Sequence, residues 1–496
     1  MNPIVNRSTN SWYSPLHLGL ALVTLGWLLY RVLLIFSYNG EIGGIDNNFV
    51  YAVIRGMNGY PLYPDPESAP YAVNPYSPLY YSFCIALGKL FSIDTRDPIH
   101  IYWLCRSFSL VCDLFTLFLL YRLIRVKKGI SGSIAFPATL IVGLLITYLG
   151  YTLSRVDSLY LLCYVAVFFF LYSDRQSRPL LRIGVVAFLS AAALFAKQSG
   201  LILPLLVLTW LFFSGEKKRM LPYFLLTTGF ILLFFAYYIR IRGNTFLLAH
   251  TFTGISNHLD PAWFYVHVFK RSVDSLWILL LYFPFVLALR RLKNTGEGDQ
   301  RALAIVFLLQ ILFSLGTTLK WGSTPGYFHE SFLLGTLLLA EWLSTKKEEE
   351  IFKALRWFMP LFLLFFIHVM AQGYLFFIQD RAEKKVRYEE QKQIRDFLEP
   401  QLGDRLVLDL GQQNSNFFKN LFPSQSAVPN FDAVDCCTLP DGNFDYSGLK
   451  RDLQNGRIGY LLVPVNEKFE SIWGQSLSHY TPDTLLHGQQ IYRFRE

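Results

Sequence analysis

Eleven stretches of mostly apolar residues punctuate this chain, at about 16–37, 100–122, 133–152, 158–173, 181–196, 199–214, 221–241, 274–289, 302–319, 329–344 and 356–378. A helix that crosses about 30 Å of hydrocarbon needs roughly 20 such residues. This pattern confines the chain to a polytopic α-helical membrane protein of about eleven transmembrane helices. Composition supports it: 53% of residues are hydrophobic, 17% aromatic and 16% charged, against about 25% charged in an ordinary soluble domain. A disordered chain, a coiled coil and a conventional cytosolic enzyme are excluded. The 181–214 region is expected to form two short helices or one long bent helix. Ser77–Phe91 is apolar but too short to span, and is expected to be interfacial or re-entrant. The first span lacks a small-residue cleavage pattern and reads as a retained helix.

The formal net charge is +9, which by itself raises the question of nucleic acid. The positions of the charges answer it. Lys and Arg cluster in short connections at Arg122–Lys128, Arg175–Arg182, Lys217–Arg219, Arg290–Arg301 and Lys346–Arg356, while the alternate, longer connections carry fewer. Short basic loops face the cytoplasm, so the surplus is a topology signal and no nucleic-acid partner is expected. With an odd number of spans the N-terminus lies inside and the C-terminus outside. The expected placement is the bacterial inner membrane, with the tail in the periplasm or exterior.

Two units are expected: residues 1–378 as a membrane unit with a long first outer loop at 38–99, and residues 379–496 as a small soluble α/β domain outside. In the tail, Arg381–Glu399 has a charged helical pattern, and Arg405–Leu410, Ile458–Val463 and Gln490–Phe494 read as short strands. Cys84, Cys105, Cys112 and Cys163 lie in apolar segments and read as small buried hydrophobes. Cys436 and Cys437 are adjacent in the tail, where a vicinal disulfide would be strained. No cysteine spacing resembles a zinc site.

The orientation gathers the chemistry-bearing residues onto one face. The first outer loop runs from Glu41-Ile42-Gly43-Gly44-Ile45-Asp46-Asn47 into an interfacial helix expected at Asn48–Met57, then through Gly59-Tyr60-Pro61-Leu62-Tyr63 and Tyr76-Ser77-Pro78-Leu79-Tyr80. Tyr and Pro at this density suit a rigid loop at headgroup level. Asp46 either caps the helix that follows or serves as a general base. Arg155 and Asp157 stand at the mouth of a helix, where charges are costly unless they pair or face a cavity. Lys197-Gln198 places a cation and an amide at the boundary, suited to an anionic phosphate. The turn Lys320–Glu330 combines a cation, Gly322, Ser323, Tyr327, His329 and Glu330. A divalent ion, Mg or Mn, has candidate ligands in Asp46, Asp157 and His329. A transporter would more often place its ionisable residues near the midplane, so a one-sided site fed by a membrane lipid is the better match.

In this order and on one face, Asp46, the Gly59–Tyr63 element, the Tyr76–Tyr80 element, the Arg155–Ser158 turn, Lys197-Gln198 and the Lys320–Glu330 turn resemble the GT-C superfamily of membrane glycosyltransferases. The nearest group contains the protein O-mannosyltransferases and the lipid A aminoarabinose transferases. Asn47 stands where that family often has a second acidic residue. The resemblance implies a polyprenyl-phosphate-linked sugar donor bound from the bilayer. It also implies an inverting transfer, of hexosyl or pentosyl type, to an acceptor glycan, lipid or protein on the outer face. Asp46 is then the general base, and Asp157 matches the family's second outer, catalytic Asp. Lys197, Lys320 and Arg155 become donor-phosphate ligands, and Tyr63, Tyr76, Tyr327 and Glu330 substrate contacts. Two other classes are a transporter or flippase of lipid-linked sugars, which moves substrate without forming a glycosidic bond, and a non-catalytic scaffold. For the orientation, a reporter fused after Lys128 is expected to read cytoplasmic and one at residue 400 external; the reverse would overturn it.

Overall fold

The computed structural model describes residues 13–346 and 381–495, except 39, 41–45, 128, 149–154, 173–178, 256–257, 275–277, 294–297, 411–414, 429–442 and 466–477, together with residues 364, 367 and 371. In chain order the first helices are α1 (Tyr13–Ile35), α2 (Asp46–Met57), α3 (Pro78–Leu90), α4 (Pro98–Arg122), α5 (Gly132–Tyr148), α6 (Val156–Leu171), α7 (Pro179–Ala196), α8 (Ile202–Phe213) and α9 (Met220–Ala236). Three short helices follow, α10 (Leu247–Phe252), α11 (Pro261–Trp263) and α12 (Arg271–Asp274). Then come α13 (Leu279–Lys293), α14 (Gly298–Thr318) and α15 (His329–Ser344). The C-terminal part contributes α16 (381–402), α17 (Ser415–Leu421) and α18 (Ser447–Gln454).

Four described helical stretches are long and apolar enough to cross a membrane: Pro98–Val126, Pro179–Ala196, Lys217–Ile241 and Gly298–Thr318. Shorter apolar helices, Ala21–Ile35, Ile134–Ile146, Val156–Leu171 and Gln198–Phe213, accompany them. α9 leaves Leu221, Phe224, Leu225, Leu232 and Leu233 exposed, an apolar surface that suits lipid rather than water. The span expected at 356–378 and the Cys436-Cys437 pair fall outside the described residues, apart from isolated positions of the former. Cys84, Cys105, Cys112 and Cys163 are buried free thiols.

The 181–214 region resolves into two helices, α7 and α8, joined by a 3-10 turn at Gln198–Leu201. Gly200 makes that turn possible. A Cβ there would meet the Ala193 carbonyl carbon and oxygen at 2.5 Å, so only glycine lets the chain fold back onto the end of α7. The apolar segment of the first loop is α3, 13 residues long. Before it, α2 buries Phe49, Val50, Val53 and Ile54 against α3 and α4. The loop between α2 and α3 is stapled by His250 of α10. Its Nδ1 accepts the Asn74 N–H at 2.9 Å, and its Nε2 faces the Pro64 carbonyl at 2.5 Å. Burial lowers the His250 pKa to about 4, so the ring is neutral and its Nδ1 stays an acceptor.

The C-terminal part is a five-stranded sheet in the order β2-β1-β3-β5-β4, formed by β1 (Leu406–Asp409), β2 (Ser426–Ala427), β3 (Ile458–Pro464), β4 (Tyr480–Leu486) and β5 (Gln489–Phe494). β1 runs parallel to β2 and β3, and β5 is antiparallel to both β3 and β4. β4 and β5 meet in a two-residue turn at His487-Gly488, both at positive φ (48° and 75°). Such a turn matches the twist of its flanking strands. β1 and β3, apolar runs buried along their length, were legible in the sequence. β4 was not, because its partly exposed residues dilute the pattern.

The sheet region is seated on the first long loop. Tyr71 lies in the core that β1, β3 and α18 share, and its hydroxyl donates to Asp452 at 2.7 Å. The Val428 N–H donates to the Pro70 carbonyl at 2.7 Å, and Arg55 of α2 donates to the Pro423 carbonyl at 2.8 Å.

Within the helices, Arg31 of α1 and Asp113 of α4 pair at 2.7 Å, both fully buried. Removing one member of such a pair strands the other charge and costs about 3–5 kcal/mol, whereas apolar replacement of both can be neutral. Asp113→Asn and Arg31→Met are each expected to lower the melting temperature of the detergent-solubilised protein, and the double variant Arg31→Met/Asp113→Leu to recover most of the loss. Equal melting temperatures across the set would show that the pair does not hold α1 to α4.

Candidate active site

Three helix ends converge at one level of the bundle. Asp157 lies in the first turn of α6 and Glu330 in the first turn of α15. Lys197 follows the last residue of α7 in extended conformation (φ −151°, ψ 140°). Carboxylates at helix N-termini and a cation at a C-terminus each sit favourably in the helix dipoles. Lys197 donates to Asp157 at 2.7 Å, and Arg155 approaches the other Asp157 oxygen at 3.4 Å. Arg155, Asp157, Lys197, His329 and Glu330 are all buried. Burial works against the Lys197 charge, but Asp157 and Glu330 outweigh it and hold its pKa above the usual value.

Aromatic rings enclose this charged group. The Lys197 ammonium stands 4.9 Å from the Tyr327 ring centroid and 5.8 Å from that of Tyr160, at cation–π range. Tyr160 is one helical turn beyond Asp157 and lies beside Glu330. Glu330 Oε2, His329 Nε2, the Tyr160 hydroxyl and Ser199 Oγ are buried without a well-formed hydrogen bond, and the Tyr160 hydroxyl faces both Glu330 and Ser199. Buried polar atoms seldom stay unpaired in a finished core, so this group is suited to receive hydroxyls or phosphate oxygens from a ligand. The Gln198 amide ties the turn to its surroundings, donating to the Pro75 carbonyl at 2.5 Å and the Thr251 carbonyl at 3.2 Å.

Asp46 forms a second centre at the start of α2. Its carboxylate is fully buried, 3.7 Å from the Arg106 guanidinium of α4. One turn along α2, Phe49 stacks on Tyr76 and Tyr81, with centroids 5.1 and 5.3 Å apart. Tyr81 in turn faces the charge of Arg155, and Tyr76 neighbours Tyr327. A single layer of aromatic rings therefore links the two centres.

The structure thus brings Arg155, Asp157, Lys197, Tyr327, His329 and Glu330 together and sets Asp46 and Tyr76 across an aromatic layer from them. Tyr63 buttresses that layer, donating to the Tyr76 carbonyl at 2.6 Å. Lys320 stands apart: its side chain is exposed and its backbone bridges to Leu259. Tyr81, Tyr160, Ser199 and Arg106 lie with these residues and were not among the site residues expected from the sequence. Tyr160 and Phe49 carried a usable signal, a ring one turn beyond each candidate acid. Ser199 and Arg106 carried none that separates them from structural residues.

The same geometry tests a resident metal. Asp157 is already met by two cations and Asp46 by one. Among the described residues no three His, Cys, Asp or Glu side chains form a group that could hold a metal ion. Asp46, Asp157 and His329 as placed do not make a divalent site, and no step is derived through one.

No protein-family model and no curated protein matches the chain. Solved structures do. ArnT from Cupriavidus metallidurans bound to undecaprenyl phosphate aligns over 98% of both chains, with a TM-score of 0.57 at 12% identity. The Archaeoglobus fulgidus oligosaccharyltransferase in complex with Zn and sulfate aligns over 94% of this chain and 71% of its own, with a TM-score of 0.57 at 12% identity. The oligosaccharyltransferase AglB from the same organism, in complex with an inhibitory peptide and a dolichol-phosphate, aligns over 95% and 73%, with a TM-score of 0.54 at 12% identity. This chain is an integral-membrane protein with the fold of the GT-C glycosyltransferases.

Proposed function

We propose that the protein is a membrane glycosyltransferase that moves a hexosyl or pentosyl group from a polyprenyl-phosphate-linked donor to an acceptor hydroxyl on the outer face of the membrane. The observation that carries this reading is the buried pair of cations, Lys197 and Arg155, held on Asp157 beside the buried polar side chains of Tyr160, Ser199, His329 and Glu330. A leaving phosphate needs positive charge poised where its own charge develops, and in a water-poor site such charge acts strongly. The solved neighbours bound to undecaprenyl phosphate and to a dolichol-phosphate support the same donor class.

In the proposed reaction the acceptor oxygen attacks the anomeric carbon and its proton passes to the Asp46 carboxylate. The bond from that carbon to the phosphate oxygen breaks with inversion, and polyprenyl phosphate leaves. Lys197 and Arg155 neutralise it, so no general acid is required. Asp157 aligns the two cations. Glu330, Tyr327, Tyr76 and Tyr63 are the proposed contacts to sugar and acceptor. Lys320, exposed on the same turn as Tyr327, is proposed to meet the donor phosphate on entry. An apolar cavity of about 200 Å³, lined by Phe264, Val268, Leu281, Phe285, Ile311 and Phe328, adjoins the start of α15 and suits the donor's hydrocarbon tail. With eleven spans, the N-terminus lies in the cytoplasm of a bacterial inner membrane and the sheet region outside it.

The direct test incubates the purified protein with a panel of polyprenyl-phosphate sugars and follows donor hydrolysis or transfer by mass spectrometry. Asp46→Asn is expected to abolish transfer while the protein still folds and inserts; normal activity in that variant removes Asp46 from the base role. Lys197→Met is expected to lower kcat/KM for the donor by about 100-fold, the order lost with one preorganised charge donor. A Lys197→Met enzyme with unchanged donor kinetics would remove Lys197 from the phosphate site. Passage of the lipid-linked sugar across a vesicle membrane without any new glycosidic bond would overturn the enzymatic reading altogether.

A further inference from the structure

The C-terminal region reaches the neighbourhood of Asp46 by one buried route. Asn420, the sixth residue of α17, donates from Nδ2 to the Tyr102 hydroxyl at 2.7 Å. Tyr102 of α4 donates that hydroxyl's single proton to Asn47 Oδ1, on the residue next to Asp46. The face of the Tyr102 ring carries the Arg106 guanidinium, 5.2 Å from the ring centroid, and Arg106 is the cation 3.7 Å from the Asp46 carboxylate. Arg106 is further anchored by the Ser37 carbonyl at 3.0 Å. Beside this route Lys419 donates to Asn48 of the same α2 turn. Asp46, Tyr102, Arg106 and Asn420 are fully buried, and Asn47 is 4% exposed.

A tyrosine hydroxyl has one proton to give, so its bonding directions are set. It gives to Asn47 and must receive from Asn420. In a buried chain of hydrogen bonds each bond restricts the next, and removing one member loosens its neighbours. Tyr102 touches both neighbours of the Asp46 carboxylate: the amide next to it along α2 and the guanidinium across from it. Other contacts of the interface lie farther from Asp46. The Tyr71–Asp452 and Arg55–Pro423 contacts fasten the sheet region without touching Tyr102.

We propose that the C-terminal region positions the catalytic base: Asn420 acts through Tyr102, and Tyr102 sets Asn47 and Arg106 around Asp46, so that the base is in register only while the sheet region is seated. Asn420 and Tyr102 are positioning residues, and the proposal rests on the reading of Asp46 as the base. The sheet region thereby becomes part of the site's geometry. A substrate or partner that unseats it withdraws support from the base without touching the donor pocket.

The test compares Asn420→Ala, Tyr102→Phe, the double variant and Asp452→Asn in the full-length purified protein. Tyr102→Phe keeps the ring beneath Arg106 and removes only the hydroxyl, while Asp452→Asn weakens the seam at its far edge. With an undecaprenyl-phosphate-linked sugar as donor, Asn420→Ala and Tyr102→Phe are expected each to lower kcat about tenfold at unchanged donor KM. The double variant should be no slower than either single one, and Asp452→Asn should keep wild-type kcat. Without substrate, hydrogen–deuterium exchange is expected to rise in the first turn of α2 for Asn420→Ala and Tyr102→Phe and to stay at the wild-type level for Asp452→Asn. Wild-type kcat and wild-type exchange in Asn420→Ala would overturn the proposal, as would losses that multiply in the double variant or that Asp452→Asn reproduces. Asp46→Asn separates the two claims. If it retains transfer, the base reading fails. If it is inactive while Asn420→Ala behaves as wild type in both measurements, the positioning route alone fails.

Discussion

A charge buried among apolar helices must be met by its opposite, because desolvation of an unpaired ion costs several kcal/mol. Only 16% of this chain is charged, and the buried part of that minority decides how the helices are held. Arg31–Asp113 joins α1 to α4, and Arg106–Asp46 joins α4 to α2. Lys197 and Arg155 on Asp157 join the end of α7 to the start of α6. At the other end of α7, Arg182 pairs with Glu216, and at the far end of α15, Glu341 pairs with Arg291. Lipid offers no hydrophobic drive to bring helices together, so matched charges and close packing must supply the register.

The pairs differ in what surrounds them, and this separates structure from chemistry. Arg31–Asp113 is a short contact within the bundle, beside the packed Trp27 ring. Asp157 holds two cations where buried hydroxyl, imidazole and carboxylate atoms gather. The first joins two helices one to one; the second gathers two cations on one carboxylate beside further polar side chains. The stacked rings of Phe49, Tyr76 and Tyr81 stand between the Asp46 centre and the Lys197 centre.

Much of this was legible before any coordinates. Hydrophobic run length located α4, α7, α9 and α14, because a spanning helix leaves its mark in sequence independently of its neighbours. Asp157, Lys197, Tyr327, His329 and Glu330 were singled out because ionisable groups at helix mouths are expensive and therefore conspicuous. Arg106 and Asp113 stand seven residues apart on α4, yet they meet different partners, Asp46 and Arg31. Which acid meets which base depends on helix rotation and crossing, and no spacing rule within one helix contains that. Lys320 shows the reverse case: it is a lysine on the turn that also carries Tyr327 and Glu330, but its side chain stands exposed.

The one-dimensional chain determined the membrane character, several of the strands of the C-terminal part and which ionisable side chains stand at helix ends. These follow from local quantities: apolar length, loop charge and turn composition. Tertiary structure alone decided that Lys197 and Arg155 share Asp157, that an aromatic layer stands between this group and Asp46, and that Asn420 reaches Tyr102 across 318 residues of chain. Those contacts join segments far apart in sequence, and their energy exists only once burial has removed the water that would otherwise satisfy each group alone.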